Sequence, residues 1–354
     1  MRRTVLIALH VAVSRGDAAT CESLAQLKLD HVDVVAADVV APGGFALPAG
    51  ARQTRPEFFV AFDRLPSFCR VQAVARPTAD SDIRIEVWLP AEGWNGRYLG
   101  AGNGGYAGSL NYFRLGEAIN AGYAASSTDT GHRGGARDRS WATGHRERQI
   151  DFDHRAIHET AQTAKAVIRA FYGAAPRTSY FSSCSNGGRQ GLMEAERYPD
   201  DYDGIFAGAP ALHLGFTTLV MGRLDAFATR GGRIIIYHGG NDAPEGSIAF
   251  FNDRSRRMGE ETVRRFMQLY IVPGMGHCGG GARPNDIGQW LRPNADTQHS
   301  LFKALEAWVE EGLPPTGVIA TRFVRKGDAS SGVAATRMLR PYQRRSSSSR
   351  SPRR

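Results

Sequence analysis

Residues 179–197 read SYFSSCSNGGRQGLMEAER and join an apolar strand pattern, a serine–glycine turn and a helical pattern. Ser185 lies at the turn and is followed by Asn186, Gly187 and Gly188. A sharp turn between a strand and a helix holds a serine hydroxyl clear of the sheet, and it needs small neighbours so that the backbone can pass. The stretch therefore predicts a nucleophile elbow. The backbone N–H of Asn186 would face a developing oxyanion from the helix start.

The elbow motif departs from its common form in one position. The usual pattern has a glycine two residues before the serine, and this chain has Ser183 there. The alternative interpretation is a glycine-rich helix start in which Ser185 only caps the helix.

The rest of the chain alternates short strand patterns with helical ones, which predicts an α/β fold whose mostly parallel sheet has helices on both faces. Strand patterns cover residues 83–90, 98–101, 121–127, 204–210, 233–240 and 270–277, and helical patterns cover residues 154–172, 188–198, 224–230 and 301–311. The reactive residue types follow predicted strands, where ligands bind in open α/β sheets.

The formal charge of +9 is concentrated at one end of the chain. Residues 344–354 read RRSSSSRSPRR, and without these five arginines the charge falls to +4. A Ser/Arg segment of this composition predicts a disordered tail over residues 341–354, with RNA binding by the tail as the alternative. We expect no nucleic-acid partner. Apart from the N-terminus, no apolar run approaches the roughly 20 residues of a membrane helix, so we expect no membrane partner.

The N-terminus, MRRTVLIALHVAV, has two arginines followed by a short apolar run, with Ala18 and Ala19 behind it. This layout predicts a secretory signal peptide over residues 1–20, and a buried first strand is the alternative. The catalytic domain would then cover residues 21–340. The predicted location is secreted or periplasmic, where disulfides form.

Two later segments support a nucleophilic role for Ser185. An α/β-hydrolase presents its catalytic residues in the chain order serine, acid, histidine, each after a strand. Asp242 follows the buried strand pattern at 234–237, and His277 follows the pattern at 269–272. His238 and His132 are alternative bases. His238 lies within the strand that would deliver Asp242, and His132 precedes the serine.

The chain has four cysteines, and none forms a CxxC pair, so a thiolate zinc site is not expected. Cys184 immediately precedes Ser185, and Cys278 immediately follows His277. A disulfide between them would bring their Cα atoms to about 5.5–6 Å and hold the serine near the histidine. We therefore predict this bridge, with Cys21 and Cys69 paired separately. Two free buried cysteines at 184 and 278 are the alternative.

Taken together, Cys184-Ser185, Asp242 and His277-Cys278 resemble the CS–D–HC arrangement of the tannase and feruloyl esterase family. The similarity runs from about Cys21 to Arg322 and includes the stretches LPAEGWNGRYLGAGNGGYAGS, SSTDTGHRGG, CSNGGRQGLMEAERYPDDYDGIFAGAPA and VPGMGHCGGG.

The resemblance implies an α/β-hydrolase fold, export, and hydrolysis of esters of gallic or hydroxycinnamic acids by a Ser185–His277–Asp242 triad through an acyl-enzyme. It also implies a second oxyanion donor in the loop 102–105, for which we select Gly104 over Gly105. The partner would be a small aromatic ester. The sequence specifies no oligomeric state.

The chain departs from the family between the serine and the acid. Members usually carry a lid domain there, often with a calcium site, whereas only 57 positions separate Ser185 from Asp242. We therefore predict a largely absent lid, no calcium site and no other cofactor or metal. The alternative functions are a serine peptidase or acyltransferase with the same triad, and an inactive lid-less relative that acts as a binding protein.

Overall fold

The computed structural model describes residues 19–49, 51, 60–215, 224–292 and 294–344. Most of the predicted signal peptide and the tail from residue 345 onward lie outside these ranges. The strands are β1 (Val32–Val40), β2 (Phe68–Ala75), β3 (Ile83–Pro90), β4 (Arg97–Ala101), β5 (Ala124–Thr128), β6 (Thr178–Cys184), β7 (Gly204–Gly208), β8 (Arg233–Gly239), β9 (Met267–Val272), β10 (Val318–Arg325) and β11 (Asp328–Leu339). The helices are α1 (Tyr112–Asn120), α2 (Arg146–Ile150), α3 (Ala156–Tyr172), α4 (Asn186–Arg197), α5 (Leu224–Thr229), α6 (Glu245–Met258), α7 (Glu260–Arg264) and α8 (Leu301–Glu311).

Nine strands form one mixed sheet in the order β1-β2-β3-β5-β4-β6-β7-β8-β9. The pairs from β5 to β9 are parallel, and β1, β2, β3 and β5 pair antiparallel with one another in sequence. The α/β class and the mostly parallel sheet predicted from the sequence are confirmed. Because β6, β8 and β9 run in the same direction, the residues that follow them meet at one edge of the sheet.

Helices cover both faces of the sheet, as predicted. One core packs α3, α4, α5, α6 and α7 against the sheet, and a second packs α1 and α8 against the opposite face. Side chains of strand β3 point alternately to the two faces of the sheet. Ile85 and Val87 pack in the first core, and Trp88 packs in the second. Within the described ranges, none of the helices has both the length and the hydropathy that a bilayer span requires.

Among the elements that were not predicted are helices α1 and α6 and the β10–β11 hairpin. Helix α1 carries Gly116 in its middle, which weakens a helical pattern. A side chain at Gly116 would press on Val60 and Phe62, so the glycine permits close packing there. The β10–β11 hairpin was also missed. Only its ends, including Val318 and Leu339, are buried in the second core, and the hairpin is a separate two-stranded sheet.

The Cys21–Cys69 disulfide ties the segment before β1 to β2, with a Cα–Cα distance of 5.6 Å. The bridge closes a loop across a sequence separation of 48. A loop of this length restricts the unfolded chain, so replacing both cysteines with serine should lower the free energy of unfolding by roughly 2–4 kcal/mol. Urea denaturation of the purified protein under non-reducing conditions measures the change. An unchanged midpoint and slope would show that the bridge contributes nothing to stability.

Candidate active site

Ser185 occupies a strained turn between β6 and α4. Its backbone has φ 65° and ψ −125°, which few non-glycine residues adopt. The turn is held by three backbone hydrogen bonds. The N–H of Ser185 donates to the carbonyl of Gly208 at 2.9 Å, and its carbonyl accepts from Arg189 at 3.1 Å and Ala211 at 3.0 Å. The side chain makes no capping hydrogen bond, so the interpretation of Ser185 as a simple helix cap is not supported.

The two glycines after Asn186 are required by close contacts. A Cβ atom at Gly187 would overlap the side chain of Ser183, and one at Gly188 would overlap the carbonyl oxygen of Gly208. A side chain at Gly187 would displace Ser183, and one at Gly188 would displace the backbone at Gly208. The glycine pair that suggested an elbow therefore lets α4 begin directly against β6 and β7.

The loop 102–105 lies against the start of α4. A Cβ built on Gly102 would come 3.0 Å from the Cα of Gly187. The N–H of Asn103 donates to Oε1 of Gln190 at 3.0 Å, so this amide is already engaged. The N–H of Gly104 has no partner within the described residues, and the space beside its Cα is open. Gln190, which anchors the loop, was not identified from the sequence.

Asp242 and His277 are in direct contact. Nδ1 of His277 lies 2.6 Å from Oδ2 of Asp242, and the histidine side chain is 44% exposed. Since a carboxylate only accepts, Nδ1 carries the hydrogen and donates it, which leaves Nε2 as an acceptor. The turns that carry the two residues also share backbone hydrogen bonds: Asn241 donates to Met275 at 3.0 Å.

The second disulfide joins the serine turn to the histidine turn. Cys184 and Cys278 are bonded, with their Cα atoms 5.9 Å apart, and so the residues beside them, Ser185 and His277, lie on connected backbone. Both predicted pairings are present, and no described cysteine is free. Cys278 itself has a positive φ of 64°. The bridge therefore holds a second sharp turn close to the first.

His238, one of the two alternative bases, also contacts Asp242. Its Nε2 lies 3.0 Å from the backbone oxygen and 3.2 Å from Oδ2 of Asp242, so Nε2 donates. Its Nδ1 then accepts from the hydroxyl of Ser247 at 2.8 Å. Both ring nitrogens are thus engaged and the side chain is buried. The hydrogen bond from His238 therefore holds the backbone of the turn that carries Asp242.

His132, the other alternative base, lies in an aromatic cluster, and none of its contacts within the described residues is with Asp242. Its Nε2 lies 2.9 Å from the carbonyl oxygen of Tyr106, and its ring stacks on Trp141 at 3.7 Å between centroids. Burial lowers the pKa of His132, so the ring is neutral and Nε2 donates. Phe152 completes the cluster. These contacts support the segment that follows the glycine loop.

Arg189 was also missed by sequence reasoning, and it links the serine turn to a π-helical segment at Asp151–Arg155. Its Nε donates to Oδ1 of Asn186 at 2.7 Å, and a terminal nitrogen donates to the carbonyl of Asp153 at 3.0 Å. The side chain is almost fully buried, and burial lowers its pKa to about 10. Arg189 therefore orients Asn186, the residue that directly follows Ser185.

No group of three or more histidine, cysteine, aspartate or glutamate side chains in the described part of the chain is arranged to hold a metal ion. The chemistry that the residues of this site can perform is proton transfer and nucleophilic attack at the edge where β6, β8 and β9 end.

The sequence model of the family described as tannase and feruloyl esterase matches residues 69–225 and 218–349. The chain belongs to this family. An uncharacterized esterase of Xanthomonas campestris is 40% identical over 204 residues, which cover 57% of this chain and 34% of the relative. A protein of Aspergillus flavus named "Probable feruloyl esterase B-2" is 37% identical over 179 residues, covering 50% of this chain and 32% of the relative. The aligned segments span about a third of each relative's length.

Solved structures show the same fold. Feruloyl esterase B from Aspergillus oryzae superposes with a TM-score of 0.77 at 20% identity, covering 91% of this chain and 95% of that chain. Tannin acyl hydrolase from Aspergillus niger gives 0.65 at 17% identity, covering 89% of each chain. Together with the family membership, these likenesses confirm the predicted α/β-hydrolase fold.

The contact between His277 and Asp242 predicts a measurable proton signal. A hydrogen shared between an imidazole nitrogen and a carboxylate at this distance is strongly deshielded. We expect a low-field proton resonance in the NMR spectrum that disappears in Asp242→Ala. The exposed pair His299 and Asp296, with a nitrogen–oxygen distance of 3.0 Å, offers a matched control. Asp296→Ala should leave the signal unchanged. Loss of the signal only in Asp296→Ala would contradict the assignment.

Proposed function

We propose that this chain is a carboxylic ester hydrolase that uses Ser185 as nucleophile, His277 as general base and Asp242 as the group that orients the base. The observation that carries the proposal is the Cys184–Cys278 disulfide. It joins the strained serine turn directly to the residue after His277, and His277 is bonded to Asp242. The chain order and the strand-end positions agree with the proposal.

The reaction would proceed in two acyl-transfer steps. Oγ of Ser185 attacks the ester carbonyl while Nε2 of His277 takes its proton, and Asp242 stabilises the imidazolium that forms. His277 then gives the proton to the leaving alcohol as the ester C–O bond breaks. Water, activated by the same imidazole, resolves the acyl-enzyme and releases the acid. These steps need no metal or organic cofactor.

The tetrahedral intermediates would be stabilised by backbone amides of Asn186 and Gly104. The first helical residue has no intrahelical acceptor for its N–H. At the loop, the amide of Asn103 is engaged with Gln190, which favours Gly104 as the second donor. Each such donor contributes roughly 3–4 kcal/mol to transition-state stabilisation.

The substrate class follows from the family. Relatives carry names such as feruloyl esterase B and tannin acyl hydrolase, and we extend to this chain the hydrolysis of esters of hydroxycinnamic or gallic acids. The two disulfides suit an oxidising compartment, so we propose that the protein acts after export to the periplasm or the medium.

Loss of the nucleophile or of the base should abolish turnover of an aryl ester. We expect Ser185→Ala and His277→Ala each to lower kcat by several orders of magnitude, and the double variant to be little worse, because triad members act as a unit. Initial rates on 4-nitrophenyl acetate measure the effect. His299→Ala is the matched control, since His299 also bonds an aspartate at the surface, and it should retain full activity.

Labelling by a fluorophosphonate separates this proposal from a binding protein without activity. Only an activated serine reacts, so Ser185 should be labelled and Ser185→Ala should not. A wild-type protein that remains unlabelled would refute catalysis. Labelling without hydrolysis of any ester would favour a peptidase or acyltransferase instead.

The predicted lack of a lid has consequences for substrate choice. A lid adds apolar surface around the substrate and excludes water. Without it, a feruloyl or galloyl ester should gain little in kcat/KM over a small aryl acetate, because little remote binding energy is available. Activity should also persist in the presence of a chelator. The test compares the two esters with and without EDTA. Loss of activity with EDTA, or a strong preference for the bulky ester, would contradict the prediction.

A further inference from the structure

A cavity of about 220 Å³ lies between the loop that follows Cys278 and the β10–β11 hairpin. Its walls combine two aromatic rings with four charged side chains: Trp290, Phe323, Asp286, Arg292, Arg322 and Lys326. None of these residues takes part in the proposed triad. The cavity therefore adds a second chemical surface beside the candidate active site.

The two walls of the cavity are joined by backbone hydrogen bonds. The N–H of Asp286 donates to the carbonyl of Thr321 at 2.9 Å, and the N–H of Thr321 donates back to Asp286 at 2.8 Å. This bridge attaches the loop to β10. The cavity is consequently formed before any ligand arrives, which lowers the entropic cost of binding.

The ring of Trp290 packs against two side chains of helix α1. The guanidinium of Arg114 lies over it at 4.6 Å, and Phe113 meets it edge-on at 5.8 Å. Arg114 is buried, pairs with Glu117 at 2.8 Å and donates to the carbonyl of Gln289 at 3.1 Å. A buried ion pair thus contacts the ring of Trp290 and the backbone of the residue before it.

The charged wall is positive. Arg292 pairs with Asp286, and its guanidinium lies over the ring of Phe323 at 5.3 Å. Arg322 and Lys326 add two more positive charges to the lining. Apart from the Arg292–Asp286 pair, the charged side chains of the lining are the basic Arg322 and Lys326, which favours an anionic ligand, and the adjacent rings favour an aromatic one.

The cavity begins next to the proposed catalytic histidine. A Cβ built on Gly279 would come 3.7 Å from Cζ2 of Trp290, and Gly279 directly follows Cys278. Gly280 belongs to the cavity wall. The short distance along the chain, three residues from His277 to Gly280, places the cavity beside the site.

We propose that this cavity binds a single aromatic ring that carries a carboxylate. A volume of about 220 Å³ is below the roughly 300–1,000 Å³ typical of sites for larger ligands, so one ring with its substituents is the suitable size. The carboxylate would face Arg322 and Lys326, and the ring would lie between Trp290 and Phe323. The ligand could come from two sources: a free aromatic acid, or the ring of an ester substrate.

Binding is tested with 4-hydroxybenzoate and its neutral counterpart 4-hydroxybenzamide on the full chain by isothermal titration calorimetry. We expect the acid to bind more tightly than the amide. The Arg322→Gln/Lys326→Gln variant should bind the acid about tenfold more weakly, because two favourable charges are lost. Arg337→Gln/Arg340→Gln removes two exposed charges outside the cavity and should bind as the wild type does.

Equal affinity of the acid for the wild type and for Arg322→Gln/Lys326→Gln would overturn the proposal, as would equal affinity of the acid and the amide. Both changed residues are exposed, and thermal unfolding checks that the variant remains folded. Phe323→Leu gives a second test that keeps an apolar side chain but removes a ring, and it should weaken binding of both probes.

The source of the ligand is distinguished by kinetics, and this part rests on the proposed hydrolysis. The esters are 4-acetoxybenzoate and 4-acetoxybenzamide. A fall in kcat/KM for the anionic ester alone in Arg322→Gln/Lys326→Gln identifies the leaving group as the ligand. Unchanged kcat/KM with relief of inhibition by 4-hydroxybenzoate identifies the free acid. Ser185→Ala should bind 4-hydroxybenzoate normally, so failure of the hydrolysis proposal leaves the binding result interpretable.

Discussion

The positive φ of Ser185 is the constraint around which the neighbouring structure is arranged. An L-residue in this conformation costs free energy of roughly 1–3 kcal/mol, and it persists only when its surroundings determine it. Ser185 is held in this conformation by its three backbone hydrogen bonds. The close packing around Gly187 and Gly188 fixes the chain that follows it. The same glycines allow α4 to start close to β7 and the loop 102–105 to lie against α4. The serine turn and the loop 102–105 therefore depend on one another.

The turn after β9 is covalently joined to the serine turn. His277 and Cys278 follow β9, Cys278 also has a positive φ, and the disulfide to Cys184 joins the two turns covalently. Asp242 contacts His277 through its carboxylate and accepts a hydrogen bond from the buried His238 through its backbone oxygen. These contacts fix the turn that carries Asp242 and leave the side chain of His277 half exposed. The residues around His277 are held by the disulfide and by hydrogen bonds, whereas the ring of His277 is open to solvent.

Charged side chains in the interior also hold the loops around the site in position. Arg189 connects Asn186 to the π-helical segment, and Arg114 with Glu117 supports Trp290 beside the cavity. Burial raises the pKa of Glu117 to about 7, although the neighbouring Arg114 opposes that shift. Such pairs add little net stability, because desolvation offsets their attraction. Their clear effect is positional, since each fixes a loop that borders the site.

The sequence by itself determined the α/β class, the strand ends that carry Ser185, Asp242 and His277, and both disulfide pairings, because these depend on local patterns and on residue order. Helix α1 escaped sequence reasoning because Gly116 interrupts its pattern for the sake of a contact with Phe62. The tertiary structure alone decided that the amide of Asn103 is engaged by Gln190, that His238 shares Asp242, and that a hairpin distant in sequence closes a cavity beside Gly280. Each of these is a contact between residues separated by a turn or by a long stretch of chain. Such contacts leave no periodic signal, because they arise only when the packed sheet brings its loops together at one edge.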